Sequence, residues 1–174
     1  MSHLNVEIKA KCTNQEEIRT LLKREKAEFK GTDHQIDTYF KVNNGRLKLR
    51  EGNIENYLIY YERANESGPK TAGVTLLETK PNSPLKQMLS NALGVLVEVN
   101  KKREIYFIGN VKIHLDEVVG LGAFVEIEAR DVDGKIAGEK LLQQCQKYVK
   151  LFKIQEEDLL KESYSDLLLS RNKY

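Results

Sequence analysis

Apolar and polar residues alternate with period two along most of the chain, beginning at residues 4–11. There Leu4, Val6, Ile8 and Ala10 take one face and Asn5, Glu7, Lys9 and Lys11 the other. This predicts a strand with one charged face. From Thr13 or Asn14 the period lengthens: Ile18, Leu21, Leu22 and Phe29 recur at helical spacing, Glu16 and Glu17 sit in the first turn, and Gly31 is the expected stop. Alternation returns over 35–42 and 45–51, around Asn43-Asn44-Gly45, which suits the positive φ angles of a tight hairpin. The runs 56–63 and 73–80 read as a second pair, joined by Asn65-Glu66-Ser67-Gly68-Pro69 and closed by Pro81. A short helix over 84–93 precedes strands over 95–98, 101–109, 111–118 and 123–131, and helical spacing resumes over 135–152 and 156–170. The expected fold class is α+β: a mostly antiparallel sheet with helices packed outside it, in one domain over 1–174.

The polar faces of these strands are not mixed in the usual way. Arg46, Lys48 and Arg50 share one face, Lys101 and Arg103 share another, Lys112, His114 and Asp116 alternate on a third, and Glu126 and Glu128 on a fourth. Two arrangements fit. In one, the sheet is solvated on its charged side, as antiparallel sheets commonly are. In the other, it curls into a barrel whose interior is lined by cations and a few acids, a poor core but a good polyphosphate cavity. Burying so many ions would cost several kcal/mol each, so phosphate is expected to supply the missing counter-charge, with a divalent cation between phosphate and carboxylates.

Composition narrows the partners. The 28 Lys and Arg are nearly matched by 26 Asp and Glu, a net charge of +2 over 174 residues, so a basic exterior for nucleic acid is not expected. Cys12 and Cys145 lie far apart without metal-type spacing and read as buried thiols, neither a disulfide framework nor a zinc site. The polar start MSHLNVEIKAK and the lack of any long apolar run lead to the expectation of a cytoplasmic protein without a membrane partner.

Asn5-Val6-Glu7-Ile8-Lys9 resembles the Glu-x-Glu-x-Lys signature of the CYTH superfamily, the triphosphate tunnel enzymes that include class IV adenylyl cyclases and several triphosphatases. The likeness extends in order through Asp37-Thr38-Tyr39-Phe40, Leu47-Lys48-Leu49-Arg50-Glu51, residues 101–109, His114-Leu115-Asp116, residues 120–128 and the ending Ser163-Tyr164-Ser165-Asp166-Leu167-Leu168. The stretch from His114 to Glu128 is similar to the class IV cyclase branch in particular. The resemblance implies an eight-stranded antiparallel β-barrel-like triphosphate tunnel with helices outside. It further implies an enzyme that converts ATP to cyclic AMP and pyrophosphate, or alternatively a triphosphatase or a non-catalytic polyphosphate-binding module. Carried over by position, Glu7, Glu126 and Glu128 would hold Mg2+ or Mn2+, and Lys9, Lys11, Lys48, Arg50, Arg63, Lys101 and Arg103 would bind ATP or another triphosphate. Lys9, Asp116 and Arg103 would act in catalysis, and a homodimer is an allowed assembly.

This chain departs from the pattern at Asn5, which offers a metal an amide oxygen but no charge. Arg63 stands near where a lysine is usual, and Lys70 and Lys80 are further basic candidates. Tyr39 can stack on a base or fill the barrel wall. His114 is expected to line the sheet as a neutral hydrogen-bonding residue, and none of His3, His34 and His114 is assigned catalysis.

Overall fold

Each period-two run becomes a strand, and the computed structural model, which describes residues 2–62 and 70–172, closes them into a single ring. The strands are β1 (Ser2–Lys11), β2 (Glu28–Phe40), β3 (Arg46–Glu51), β4 (Tyr57–Glu62), β5 (Lys70–Glu78), β6 (Val95–Ile108), β7 (Val111–Val118) and β8 (Gly122–Asp131). They form a closed barrel in the order β1-β5-β4-β3-β2-β6-β7-β8, and all neighbours are antiparallel. Closure leaves no edge strand among the described residues. The helices are α1 (Gln15–Arg24), α2 (Leu85–Leu93), α3 (Gly138–Leu151) and α4 (Tyr164–Arg171). None of the described helices is long and apolar enough to cross a membrane.

The barrel is turned inside out relative to an ordinary sandwich. Val6, Ile8 and Ala10 of β1, Val111, Ile113 and Leu115 of β7, and Val125, Ile127 and Ala129 of β8 point outward, where α1 (Ile18, Leu22) and α3 (Leu141, Cys145, Tyr148) cover them. The main core therefore lies outside the ring, and the charged half of each strand is left facing in. A smaller apolar cluster of Tyr39, Val99, Val118, Phe124 and Tyr164 closes around one end. Both cysteines are buried free thiols, and burial raises Cys145 to about 11, which keeps it protonated and unreactive.

Three expected boundaries differ. The first helix stops at Arg24, not at Gly31: Lys26 adopts φ 56°, Ala27 N–H returns to Leu22 O, and Phe29 belongs to β2. Phe29 falls at helical spacing by coincidence, and its ring rests on Tyr106 of the neighbouring strand at 4.9 Å. Gly31 instead marks a bulge against β6, where a Cβ would lie 2.9 Å from Ile54 Cδ1. The expected strands 95–98 and 101–109 are one continuous strand, because Val99 keeps the inward alternation and is 1% exposed. The last expected helix is broken into a 3₁₀ turn, Glu156–Asp158, and α4, which starts only at Tyr164 behind a Ser163/Asp166 capping box.

Candidate functional site

Inside the ring, cross-strand register decides which charges meet. On β2, Asp33, Gln35 and Asp37 point inward, and Asp37 stands opposite Arg50 of β3. Asp37 Oδ2 accepts from Lys48 Nζ and Lys101 Nζ, both at 3.0 Å, while Arg50 Nε and Nη2 donate to its two oxygens at 2.8 Å. Glu55, in the turn after β3, accepts from Arg50 at 3.3 Å and from Lys112. Its turn is pinned by Asp33, which accepts from the backbone N–H of Ile54 and Glu55, both at 2.9 Å.

Across the barrel, Arg103 donates to Asp116 (2.7 and 2.6 Å) and to Glu126 (2.9 Å), and Lys9 Nζ lies 3.2 Å from Glu126. Thus six described cations, Lys9, Lys48, Arg50, Lys101, Arg103 and Lys112, share four carboxylates, Asp37, Glu55, Asp116 and Glu126. The expectation that phosphate alone must supply counter-charge is corrected here: carboxylates of the same lining do so, while the network keeps a positive excess. Buried charges are tolerable only when paired and hydrogen-bonded in this way.

Titration follows from this packing. Burial alone would raise Asp37, but Arg50, Lys101 and Lys48 hold it well below the usual carboxylate range. Glu126 is likewise opposed by burial and held low by Arg103, Lys9 and His114. Burial, then the Arg103 charge, pushes His114 down to about 3, so it is neutral as expected. Its Nδ1 lies 3.1 Å from Glu126, and its Nε2 is buried with no hydrogen-bond partner. Burial and then Arg103 push Lys101 down to about 7, with Asp37 opposing.

That value sets a pH dependence. Between about pH 7 and the ordinary lysine value near 10.4, the unfolded chain carries a proton that folded Lys101 lacks, so this residue's contribution to stability rises with pH across that window. An anion bound beside Lys101 favours its charged form. Calorimetric titration with tripolyphosphate at pH 8, in buffers of different ionisation enthalpy, should show proton uptake and an affinity that falls as pH rises above 7. A pH-independent affinity with no proton uptake would remove Lys101 from the binding set.

The C-terminal segment finishes one end of the barrel. Arg46 donates to Ser163 Oγ (2.7 Å) and Asp166 Oδ2 (3.0 Å), seating the first turn of α4. Tyr164 enters the interior, donates to Asp116 Oδ2 at 2.7 Å, and has Lys9 Nζ 3.9 Å from its ring centroid. A cavity of ≈ 220 Å³ lies between this turn and the β2–β3 hairpin, lined in part by Tyr39, Phe40, Arg46 and Leu169. Toward the other end the lining opens: Asp116 is 0% exposed, Glu126 is buried, and Glu128 and Arg130 are half-exposed.

Of the residues singled out from sequence, Lys9, Lys48, Arg50, Lys101, Arg103, Asp116 and Glu126 all join the interior network. Lys11 is exposed at the end of β1, and Arg63 lies outside the described residues. Tyr39 is wall: it is 6% exposed, packs with Val99 and Phe124, and accepts from Lys48 at 3.3 Å. Glu7 and Glu128 stand directly opposite each other, whereas Glu126 is tied to Lys9, Arg103 and His114. Burial first, then the Glu7 charge, raises the Glu128 carboxyl. Asn5 Nδ2 donates to Glu128 Oε1 at 2.8 Å, which leaves Asn5 Oδ1 buried without a hydrogen-bond partner. No three described His, Cys, Asp or Glu side chains converge as a metal set by themselves. Counting the amide oxygen, however, Asn5, Glu7 and Glu128 make an all-oxygen group with an unsatisfied acceptor and a repelling carboxylate pair, which suits a hard divalent cation.

Sequence reading passed over Asp33, Gln35 and Glu55. The first two carry a signal, since Asp33, Gln35, Asp37 and Tyr39 alternate on one face. Glu55 sits in a turn, where no periodicity could point to it.

A CYTH domain model matches residues 3–164. The chain belongs to the CYTH family. A Methanocaldococcus jannaschii protein provisionally named an adenylate cyclase is 24% identical over 94% of this chain and 98% of its own length. Among solved CYTH-like folds, the PH1012 protein of Pyrococcus horikoshii has a TM-score of 0.79 at 24% identity, covering 94% of this chain and 98% of that one. A Hippeastrum protein, provisionally an adenylyl cyclase but described as having a dominant triphosphatase activity, has a TM-score of 0.62 at 13% identity over 98% of this chain and 96% of that one. Those structural likenesses place this CYTH chain by its fold.

Proposed function

We propose that this CYTH protein binds a triphosphate inside its barrel and, with Mg2+ or Mn2+, converts ATP to cyclic AMP and pyrophosphate. The observation that carries this is the convergence of Lys9, Lys48, Arg50, Lys101, Arg103 and Lys112 on one enclosed interior beside the Asn5, Glu7 and Glu128 oxygens. Arg103 and Arg50 present planar forks that match phosphate oxygens, and the lysines add movable charges. As the triphosphate enters, its oxygens take over cations now held by Asp37, Glu55 and Glu126. Asp116 acts as a positioning residue: both its oxygens are engaged by Arg103, and one also by Tyr164, so it fixes the guanidinium.

A divalent cation held by Glu7, Glu128 and the Asn5 amide oxygen would polarise the α-phosphate and acidify the ribose hydroxyl. In the cyclisation the 3′-hydroxyl gives up its proton to solvent and its oxygen bonds to the α-phosphorus as the bond to the β-phosphate oxygen breaks. Lys9, Arg103 and their neighbours stabilise the charge that gathers on the departing pyrophosphate.

A second reading, hydrolysis of a triphosphate by water, is favoured by the triphosphatase activity described for the Hippeastrum protein of like fold. Incubating purified protein with ATP and Mg2+ or Mn2+ separates them by chromatography. Cyclic AMP with pyrophosphate is the expected outcome, while orthophosphate release supports the hydrolase. Triphosphate binding with neither product would overturn both and leave a binding module.

A further inference from the structure

The inward face of β6 reads Val99, Lys101, Arg103, Ile105, Phe107 from the α4 end to the open end. Phe107 is out of place there. Its outward-pointing neighbours Tyr106 and Ile108 pack on the main core, whereas Phe107 belongs to neither apolar cluster of the described residues and is half-exposed at the mouth. Cations surround its ring instead: Arg130 Cζ lies 5.1 Å from the centroid, Lys112 Nζ 5.8 Å and Lys30 Nζ 5.9 Å. Arg130 is inward-facing on β8, opposite Asn5 and two residues beyond Glu128, and its Nε is buried without a hydrogen-bond partner. An aromatic face beside a guanidinium plane with an unmet donor is the arrangement that stacks and hydrogen-bonds a nucleobase.

The order of groups along the barrel gives this platform a direction. By register, Asn5 faces Arg130, and Glu7, Glu128 and Lys112 share the cross-strand row of Phe107; the next row inward holds Lys9, Glu126 and His114, the one after it Arg103 and Asp116, and beyond them come Lys101 and the Tyr164 ring. Phe107 and Arg103 are four residues apart on one strand, about 13 Å. We infer that Phe107 and Arg130 bind the base of a nucleoside triphosphate at the open mouth, so that the chain takes nucleotides base outermost in preference to bare tripolyphosphate. The inference rests on the triphosphate reading above and adds an orientation to it: the α-phosphate comes beside Asn5, Glu7 and Glu128, and the terminal phosphates reach the deep cations.

The test titrates the wild-type protein, Phe107→Ala, Phe107→Leu and Arg130→Ala with ATP and, separately, with tripolyphosphate, in EDTA so that no metal-dependent turnover intervenes. Phe107→Leu keeps most of the volume without the π-face, and tripolyphosphate binding itself reports an intact interior. The expected result is about a tenfold loss of ATP affinity in both Phe107 variants and a similar loss in Arg130→Ala. Tripolyphosphate affinity should stay within about twofold of wild type in the Phe107 variants. Equal losses for the two ligands, or an ATP affinity that ignores Phe107, would overturn the platform while leaving triphosphate binding in place. A wild-type protein that binds neither ligand would remove the triphosphate reading and this inference together.

Discussion

Replacing Asp37 with asparagine should lower the stability of the ligand-free protein by about 3 kcal/mol, the low end for breaking a buried ion pair from one side. For a chain of this length that is a fall in Tm on the order of 10 °C. One carboxylate, 1% exposed, is the common partner of Arg50, Lys101 and Lys48, and its loss leaves three cations facing one another in a largely buried site where only Arg50 keeps a second carboxylate, Glu55. Lys101 can escape part of the penalty by releasing its proton, since burial and Arg103 already push it down to about 7. The same substitution removes an internal competitor for phosphate. Added tripolyphosphate should therefore raise the Tm of Asp37→Asn by more than it raises that of the wild type, because a ligand bound only by the folded state at free concentration L stabilises by RT ln(1 + L/Kd), which grows as Kd falls. Thermal melts with and without tripolyphosphate read both effects. A variant that melts with the wild type and responds equally to the ligand would show that Asp37 is not the counter-ion of the site.

Glu128→Gln should have the opposite profile. Glu128 is raised by burial and by Glu7, so the folded state holds this carboxylate at a disadvantage above its ordinary value, and that part of the stability is recovered when the charge is removed. The metal-free variant is expected to melt at or above the wild-type temperature at pH 7. Its response to metal should weaken, because the acid facing Glu7 and Asn5 is gone. Mn2+ titration by calorimetry should show at least a tenfold weaker site, and metal-dependent product formation from ATP should fall by two orders of magnitude or more. Such a gain in stability with loss of function is the mark of a residue kept for binding. Undiminished Mn2+ affinity would instead move the cation to another set of oxygens, with Glu126 the first to test. Changing Asn5 to Glu in the same assay should tighten Mn2+ binding, since it adds a charge where only an amide oxygen now stands.

The internal counter-ions compensate the polar interior of the barrel. Its apolar residues have the outward positions of β1, β7 and β8 and are buried by α1 and α3. The charged side chains are fixed by mutual pairing. Under the proposed function, ligand binding is an exchange of one set of anions for another, which is less costly than filling a cavity of bare cations. The exchange also gives specificity, because only an anion able to engage several of these groups at once can replace four carboxylates held by the chain itself.

Much of this was legible in the linear pattern. Alternation at Asn5, Glu7 and Lys9, at Lys48 and Arg50, at Lys101 and Arg103, and at Glu126 and Glu128 placed each group on a common face of its strand, because side chains in a strand alternate strictly whatever lies around them. The hairpin at Asn43-Asn44-Gly45 and the mostly antiparallel order were equally local. Less local features failed. The helix expected to reach Gly31 ended at Arg24, since Lys26 turns the chain left-handed and Phe29 is held by Tyr106 of another strand.

What the sequence alone determined, then, is which residues share a face, because that depends only on backbone geometry within a strand. What the tertiary structure decided is which face looks inward and who meets whom. Closure of the ring set Asp37 among Lys48, Arg50 and Lys101, tied Glu126 to Arg103, brought Glu55 in from a turn, and drew Tyr164 from the far end of the chain onto Asp116. Those pairings depend on register and on side chains as many as 64 residues apart, where the energy of a buried charge is fixed by its neighbours and not by its place in the chain.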